Sequence, residues 1–207
     1  MSAAGFRSRY CPGEAGAVDF EVIIEHDLGI DIMPINGLMA ITGKYGALSA
    51  DGKCIYVDAA FQRERHREYV SLLLHEVGHL ILHIGLVTGV DFSTKIGFVM
   101  FQDSISEVMG TQLEWEAKTW AMRVQMPLSE LQGVFNAAVE LAEDMFPRLN
   151  GAARLYVQRV VASYFQIGEM RAQLRIDEER LWHVVARSQK NRGLRGLSGQ
   201  EGAEKRP

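Results

Sequence analysis

The sequence predicts an α+β fold, with a small sheet near the start and longer helices after it. Short apolar runs separated by Gly43 and by Asp51-Gly52 fill the segment up to residue 58, and Asp-Gly is a typical turn between hairpin strands. From Glu64 onward, apolar residues recur at helical spacing instead. The 207 residues suit one domain, or one domain with a small appendage.

The first elements are predicted to be an irregular start, one helix and an antiparallel sheet. Residues 1–13 show no periodic pattern. A helix is expected over residues 14–27 and should end at Gly29, because glycine commonly closes a helix. Pro34 should end the first strand. The expected strands cover residues 30–33, 38–42, 45–49 and 53–57.

Two long helices are predicted next, over residues 64–84 and 106–125, with a loop at 88–103 between them. Apolar residues wrap most of the first helix, so it should be largely buried. Met126-Pro127 should end the second helix, because the residue before a proline is disfavoured in helical conformation.

The rest of the chain is predicted to be helical and then flexible. Two or three helices are expected between residues 129 and 188, with breaks near Pro147, Gly168 and Asp177. From residue 189 the sequence is polar, basic and glycine-rich, which is typical of a mobile tail. The predicted organisation is therefore a domain at 1–127, a helical subdomain at 128–188 and a flexible tail at 189–207.

Composition excludes several functional classes. The net charge of −4 gives no basic character that would favour nucleic acid as the main ligand. Cys11 and Cys54 are too few for a disulfide scaffold and are expected to be inert thiols in a reducing compartment. No apolar stretch approaches bilayer length, and residues 1–9 lack the apolar core of a signal peptide. A cytoplasmic protein without a membrane partner is expected, and the oligomeric state stays open.

The segment His75-Glu76-Val77-Gly78-His79 carries the clearest chemistry. A helix advances about 100° per residue, so residues four apart lie on one face. The two histidines can therefore bind one metal ion, and Glu76 beside them can act as a general base towards a water molecule. Gly78 costs helix stability and is expected to permit close approach of another backbone.

A catalytic metal site of this kind needs a third protein ligand. In metzincins it is a histidine six residues after the second one, but Gly85 occupies that position here. The other common solution is a glutamate from a following helix, for which Glu107, Glu114 and Glu116 are candidates. Glu114 and Glu116 are two residues apart and lie on different helix faces, so only one of them should reach the metal.

At this point the chain resembles the ImmA/IrrE-like metallopeptidases. Residues 74–83 are similar to the H-E-[LIV]-G-H-x-[LI]-L-H core of that family. Residues 114–121, followed by Gln125-Met126-Pro127, resemble its E-x-E-A-N-x-F-A and L-M-P blocks, and residues 47–58 resemble the hairpin ahead of its active-site helix. Lys118 and Trp120 depart from the pattern, because the family usually has Asn and Phe there.

The resemblance implies a small sheet packed on a zincin-like active-site helix, followed by the helical subdomain. It implies His75, His79 and Glu114 as ligands of zinc, with Glu76 as the general base. Manganese or iron would also suit two imidazoles and one carboxylate. The implied activity is a metal-dependent endopeptidase, and its implied protein substrate is a helix-turn-helix transcriptional repressor whose cleavage relieves repression.

Other residues near the motif are expected to have lesser roles. His83 continues the i+4 row and is expected to pack or to support the site rather than to bind the ion. The strand of the hairpin at 45–57 is a candidate for binding substrate by strand addition. Side chains that by type alone could stabilise an oxyanion are Tyr45, Tyr56, His66 and Tyr69.

Two further hypotheses compete with the peptidase. The chain could be a non-catalytic binding module that docks to a regulator or a toxin partner. Residues 162–176 also partly resemble a helix-turn-helix, which makes DNA contact a third hypothesis, with Arg154, Arg159, Arg171 and Arg175 as the basic residues. A packing or substrate-docking subdomain is the preferred interpretation, because an acidic run at 177–179 follows at once.

Overall fold

The computed structural model of the chain describes residues 1–49, 51–87 and 107–185. The α+β class is confirmed, and helices predominate. The helices are α1 (Ala3–Tyr10), α2 (Phe20–Val22, continued by a π-helical turn at Ile23–Asp27), α3 (Leu38–Thr42), α4 (Ala59–Glu64), α5 (His66–Val87), α6 (Glu107–Gln125), α7 (Leu128–Met145), α8 (Gly151–Tyr164) and α9 (Glu169–Glu178). The strands are β1 (Asp31–Ile35), β2 (Gly46–Leu48) and β3 (Cys54–Asp58).

The sheet is mixed, so the prediction of a purely antiparallel sheet is wrong. Its strand order is β1-β3-β2, with β1 parallel to β3 and β2 antiparallel to β3. The β2–β3 hairpin is the predicted one, and Gly52 takes the positive φ of 70° that its turn requires. The segment between β1 and β3 contains α3 and β2, and this length allows the chain to return in the parallel direction.

Four predictions for the N-terminal half are also wrong in detail, the first being that Pro34 ends the first strand, since β1 continues to Ile35. The supposedly irregular start contains α1, whose first turn is capped by the Ser2 hydroxyl accepting a hydrogen bond from the Gly5 amide. The apolar run at 38–42 is the helix α3 and not a strand, and Gly37 and Gly43 flank it in left-handed conformation. The helix expected over 14–27 begins only at Phe20, where Asp19 caps it.

Asp58 connects the sheet to the two helices beside it. Its carboxylate accepts hydrogen bonds from the amides of Ala60 and Phe61, which start α4, and from the amide of Met39 in α3. These bonds hold the pKa of Asp58 below its usual range, with the bond from Met39 contributing most. The carboxylate at the end of β3 therefore stabilises the short helix α3. The apolar pattern alone predicts a strand there.

The long helices agree with the sequence. The expected helix at 64–84 is divided at Arg65 into α4 and α5, and the expected helix at 106–125 is α6. The predicted break at Gly168 separates α8 from α9. The loop predicted at 88–103 and the tail predicted at 189–207 lie outside the described residues. Within the part of the chain that is described, no helix is long and apolar enough to cross a membrane.

Buried apolar side chains form two clusters. The first surrounds α5 and is built by α1, α2, the sheet and α6, with Leu73, Leu74 and Val77 fully buried. The second lies among α7, α8 and α9 and begins at Met126. Glu130 links the two regions, since it pairs with Arg7 and accepts a hydrogen bond from the Tyr164 hydroxyl. The domain boundary at 127 stays a prediction.

Candidate metal centre

The centre is formed where α5 and α6 pack against each other. His75 and His79 lie one turn apart on α5, and their Nε2 atoms are 3.0 Å apart. Glu114 of α6 completes the group, with Oε2 at 3.2 Å from Nε2 of His75 and Oε1 at 3.4 Å from Nε2 of His79. Among the described residues, these three side chains form a cluster that could hold a metal ion.

The donor atoms have the spacing that a small divalent cation requires. In a tetrahedral zinc site with bonds of about 2.0–2.2 Å, neighbouring ligand atoms lie about 3.3–3.6 Å apart. The two Nε2 atoms are 3.0 Å apart, and each lies 3.2 or 3.4 Å from a different oxygen of the Glu114 carboxylate, so every separation is within a few tenths of an ångström of this spacing. Two imidazole nitrogens and one carboxylate are also a common donor set for a catalytic metal. The residues therefore fit the implied ion.

Close packing of α5 on α6 brings Glu114 to the histidines. A Cβ atom at Gly78 would lie 3.1 Å from the carbonyl oxygen of Ala117 and 3.2 Å from its Cα. Real Cβ atoms rarely approach so closely, so any larger residue would require α6 to shift by a few tenths of an ångström. The expectation that Gly78 permits close approach of another backbone is confirmed.

Glu114 is strongly held as a carboxylate. Hydrogen bonds from His75 and then from His79 keep the pKa of Glu114 far below its usual range. Lys118, one turn further along α6, adds an ion pair with its Nζ at 3.6 Å from Oε2 of Glu114. The residue that departs from the family pattern therefore places a cation beside the third candidate ligand.

Glu76 is buried next to the cluster, with only 7% of its surface exposed. Burial raises the pKa of Glu76, while the nearby charges of His75 and His79 oppose this rise. Lys44 acts in the same direction as the histidines. Sequence reasoning missed Lys44, because it belongs to the loop before β2 and no motif marks it. A buried carboxylate with a raised pKa is suited to accept and return a proton.

His83 and Glu116 form a second pair beside the cluster. Nδ1 of His83 lies 3.1 Å from Nδ1 of His79, and Nε2 of His83 lies 3.1 Å from Oε2 of Glu116. As predicted, Glu114 and Glu116 differ in direction, and only Glu114 reaches the pair His75 and His79. Glu116 contacts the histidine that the sequence assigned to packing or support.

The side chains proposed for an oxyanion site have other contacts. The Tyr45 ring stacks on Phe61 at 4.4 Å between centroids. Tyr69 is buried, and its hydroxyl accepts a hydrogen bond from Gln62. Tyr56 interacts with the Cys54 thiol, and His66 lies against Tyr69. None of these contacts joins a candidate to the described metal cluster.

The four arginines considered for DNA contact have partners within the chain. Arg175 is almost fully buried and pairs with Glu178 and Glu179. Arg171 donates to the side chain of Gln125. Arg154 lies over the ring of Trp182, and Arg159 pairs with Glu169. These contacts favour the packing role of the C-terminal helices.

The cysteines have the environment expected of unreactive thiols. Cys11 is buried and Cys54 is partly buried, and both are free. Burial raises the pKa of each thiol above its usual value, which reduces the fraction of reactive thiolate.

Comparison with known proteins yields a likeness of fold. No family model matches the sequence, and no curated protein matches it. A solved structure described as a Mycobacterium tuberculosis transcriptional regulator is similar, with a TM-score of 0.53 and 15% sequence identity. The match covers 84% of this chain and 44% of that structure, so the chain spans less than half of that protein's length. At this identity the likeness concerns the fold alone.

Replacing Gly78 with alanine is expected to weaken zinc binding roughly tenfold or more, as when an outer contact of a metal site is lost. The added methyl group would push Ala117 away and move Glu114 from the histidines. Overall stability should change less, because alanine is favoured over glycine in a helix by about 1 kcal/mol. Zinc affinity from chelator competition and the melting temperature would be measured together.

Gly133→Ala is the matched control for this substitution. Gly133 lies in α7, and a Cβ there would meet nothing within 4 Å. This variant should gain about 1 kcal/mol of stability and retain its zinc affinity. Equal zinc affinity in the two variants would contradict the role assigned to the close approach at Gly78.

Proposed function

We propose that the chain is a zinc-dependent endopeptidase that cleaves a specific protein substrate. The observation that carries this proposal is the cluster of ligand atoms from His75, His79 and Glu114, which lie within 4.8 Å of one another next to the buried carboxylate of Glu76. A structural zinc site usually uses four protein ligands, whereas three ligands leave a position for water or substrate. Iron and manganese accept similar donors, and zinc is proposed because two imidazoles and one carboxylate are a common donor set of catalytic zinc.

The reaction would be hydrolysis of a peptide bond by water. When bound, the metal supplies Lewis acidity, which activates water and polarises the scissile carbonyl. Glu76 accepts the proton that the attacking water loses and passes it to the leaving amine as the C–N bond breaks. Burial supports both roles, because it raises the pKa of Glu76 above that of an exposed glutamate and makes the carboxylate a stronger base.

Substrate would bind in extended form along β2. This strand is at the edge of the described sheet and packs on the active-site helix, where Gly46 lies against Leu72. An edge strand can accept one further strand through backbone hydrogen bonds, with side chains read alternately. Lys44 lies two residues before this strand and would lie near the scissile bond.

A helix-turn-helix transcriptional repressor is the proposed substrate, and its cleavage would relieve repression. The support is the resemblance of residues 74–83 and 114–127 to the ImmA/IrrE-like blocks, together with a fold similar to a protein described as a transcriptional regulator. Action on such a repressor would place the protein in the cytoplasm.

Metal removal tests the proposal directly. The purified protein would be stripped with a chelator, assayed with helix-turn-helix repressors from the same genome, and assayed again after one equivalent of zinc is returned. We expect one discrete cut in the zinc-loaded sample, none in the stripped sample, and recovery with zinc. Undiminished cleavage by protein whose metal content is shown to be negligible would overturn the proposal.

A further inference from the structure

Both nitrogens of His79 face a partner. Its Nε2 atom points to His75 and Glu114, and its Nδ1 atom lies 3.1 Å from Nδ1 of His83. From there the contacts continue through Nε2 of His83 to Oε2 of Glu116 at 3.1 Å. The other oxygen of Glu116 accepts a hydrogen bond from Gln112 at 2.9 Å. The candidate ligand His79 is therefore the first of three side chains in a row of hydrogen bonds, followed by His83 and Glu116.

His83, in the middle of this row of hydrogen bonds, is buried. Only 5% of His83 is exposed, so its ring nitrogens are largely withdrawn from water and need partners within the protein. By contrast, Nδ1 of His75 is buried without a hydrogen-bond partner among the described residues. Within the described part of the chain, His79 therefore has a hydrogen-bond partner outside the three candidate ligands, whereas Nδ1 of His75 has none.

Metal binding would determine which atom donates in each hydrogen bond from His79 through His83 to Glu116. A ligating nitrogen carries no proton, so a metal on Nε2 of His79 places the ring proton on Nδ1. That proton is donated to Nδ1 of His83, which must then be the unprotonated nitrogen of a neutral ring. His83 consequently carries its proton on Nε2 and donates it to the carboxylate of Glu116. Every donor in the chain meets an acceptor in this arrangement.

We propose that His83 and Glu116 are positioning residues that hold His79 in the tautomer and orientation required for metal binding. The inference rests on the proposed function, because it assumes that the cluster binds zinc. Outer hydrogen bonds of this kind fix a ligand ring and increase its basicity. Helix α6 would thereby supply both the third ligand, Glu114, and the support for the second, Glu116.

Zinc affinity of four variants tests the proposal. His83→Phe keeps a ring of similar size and removes both nitrogens, and Glu116→Gln removes the final charge. We expect His83→Phe to bind zinc about 10–100-fold more weakly than the unaltered protein, the range observed for outer-contact substitutions. Because the contacts act in series, adding Glu116→Gln to His83→Phe should cause little further loss. Glu140→Gln, at an exposed position of α7, controls for removal of one charge.

A conservative variant separates positioning from packing. Glutamine at position 83 has an oxygen that can accept from His79 and an amide that can donate to Glu116. His83→Gln should therefore retain tighter zinc binding than His83→Phe, although its shape fits the aromatic space less well. If His83→Phe does not fold, Glu116→Ala carries the test, because it removes the acceptor of the His83 Nε2 proton, and zinc affinity equal to that of the unaltered protein would refute the positioning role. Melting temperatures of the metal-free proteins would identify any variant that is merely unstable.

The outcomes distinguish this inference from the function on which it rests. If the unaltered protein binds no zinc, the metal centre itself is refuted, and the positioning role falls with it. If the unaltered protein binds one zinc and His83→Phe binds it equally well, only the positioning role is refuted. Binding of two ions per chain would also refute it, because His83 and Glu116 would then be ligands themselves.

Discussion

Glu76→Gln is expected to reduce peptide cleavage by about 10²–10⁴-fold while zinc still binds, since this is the usual contribution of a general base. Glutamine has almost the same shape as glutamate but cannot accept the proton of water. It would also remove a buried carboxylate whose pKa is raised by burial, so the folded protein should tolerate the change. Loss of activity without loss of metal is the distinctive result.

The assay would combine single-turnover cleavage with metal analysis of the same sample. Glu68→Gln is a matched control, because Glu68 is an exposed glutamate earlier on the same helix α5. Cleavage that survives in Glu76→Gln would refute the assigned base. Release of repression that survives in cells while cleavage is lost would favour the binding module, since docking does not require a proton acceptor.

Glu114→Ala should abolish zinc binding at stoichiometric concentration, and Glu116→Ala should not. Glu114 faces both histidines, at 3.2 and 3.4 Å, and its removal takes one of three ligand groups. Glu116 instead pairs with His83, at 3.1 Å. We expect the loss in affinity for Glu114→Ala to exceed the roughly 10–100-fold expected for an outer residue. Cleavage should be lost in the same proportion as the bound metal.

The two alanine variants control for each other, because the positions are two residues apart on α6 and lose the same side chain. Chelator competition at several zinc concentrations would rank their affinities, and the melting temperature would exclude unfolding. A weaker affinity in Glu116→Ala than in Glu114→Ala would reverse the ligand assignment. Equal losses would indicate that the α5–α6 interface, rather than one carboxylate, controls binding.

Elements with a local cause were predictable. The i+4 spacing of His75 and His79 places both on one face of α5, since helical periodicity alone determines it. The Asp51-Gly52 turn likewise identified the β2–β3 hairpin from the conformational freedom of glycine. Gly78 could be interpreted as a point of close approach because it has no other use inside a helix.

Elements that depend on distant partners were not predictable. The run at 38–42 is apolar enough for either a strand or a helix, and its choice depends on capping and on the bond from its Met39 amide to Asp58. The parallel pairing of β1 with β3 depends on where the chain returns after β2. Lys44 acts on Glu76 only because the loop before β2 lies beside α5.

The sequence by itself determined that two imidazoles and a carboxylate share one helix, because residues one turn apart must lie on the same face. It left three glutamates as possible third ligands. Only the tertiary structure decided that Glu114 meets the histidines and that Glu116 meets His83. The physical reason is that the packing of α6 on α5, close at Gly78 and Ala117, brings Glu114 to the histidines, and no local pattern encodes that packing.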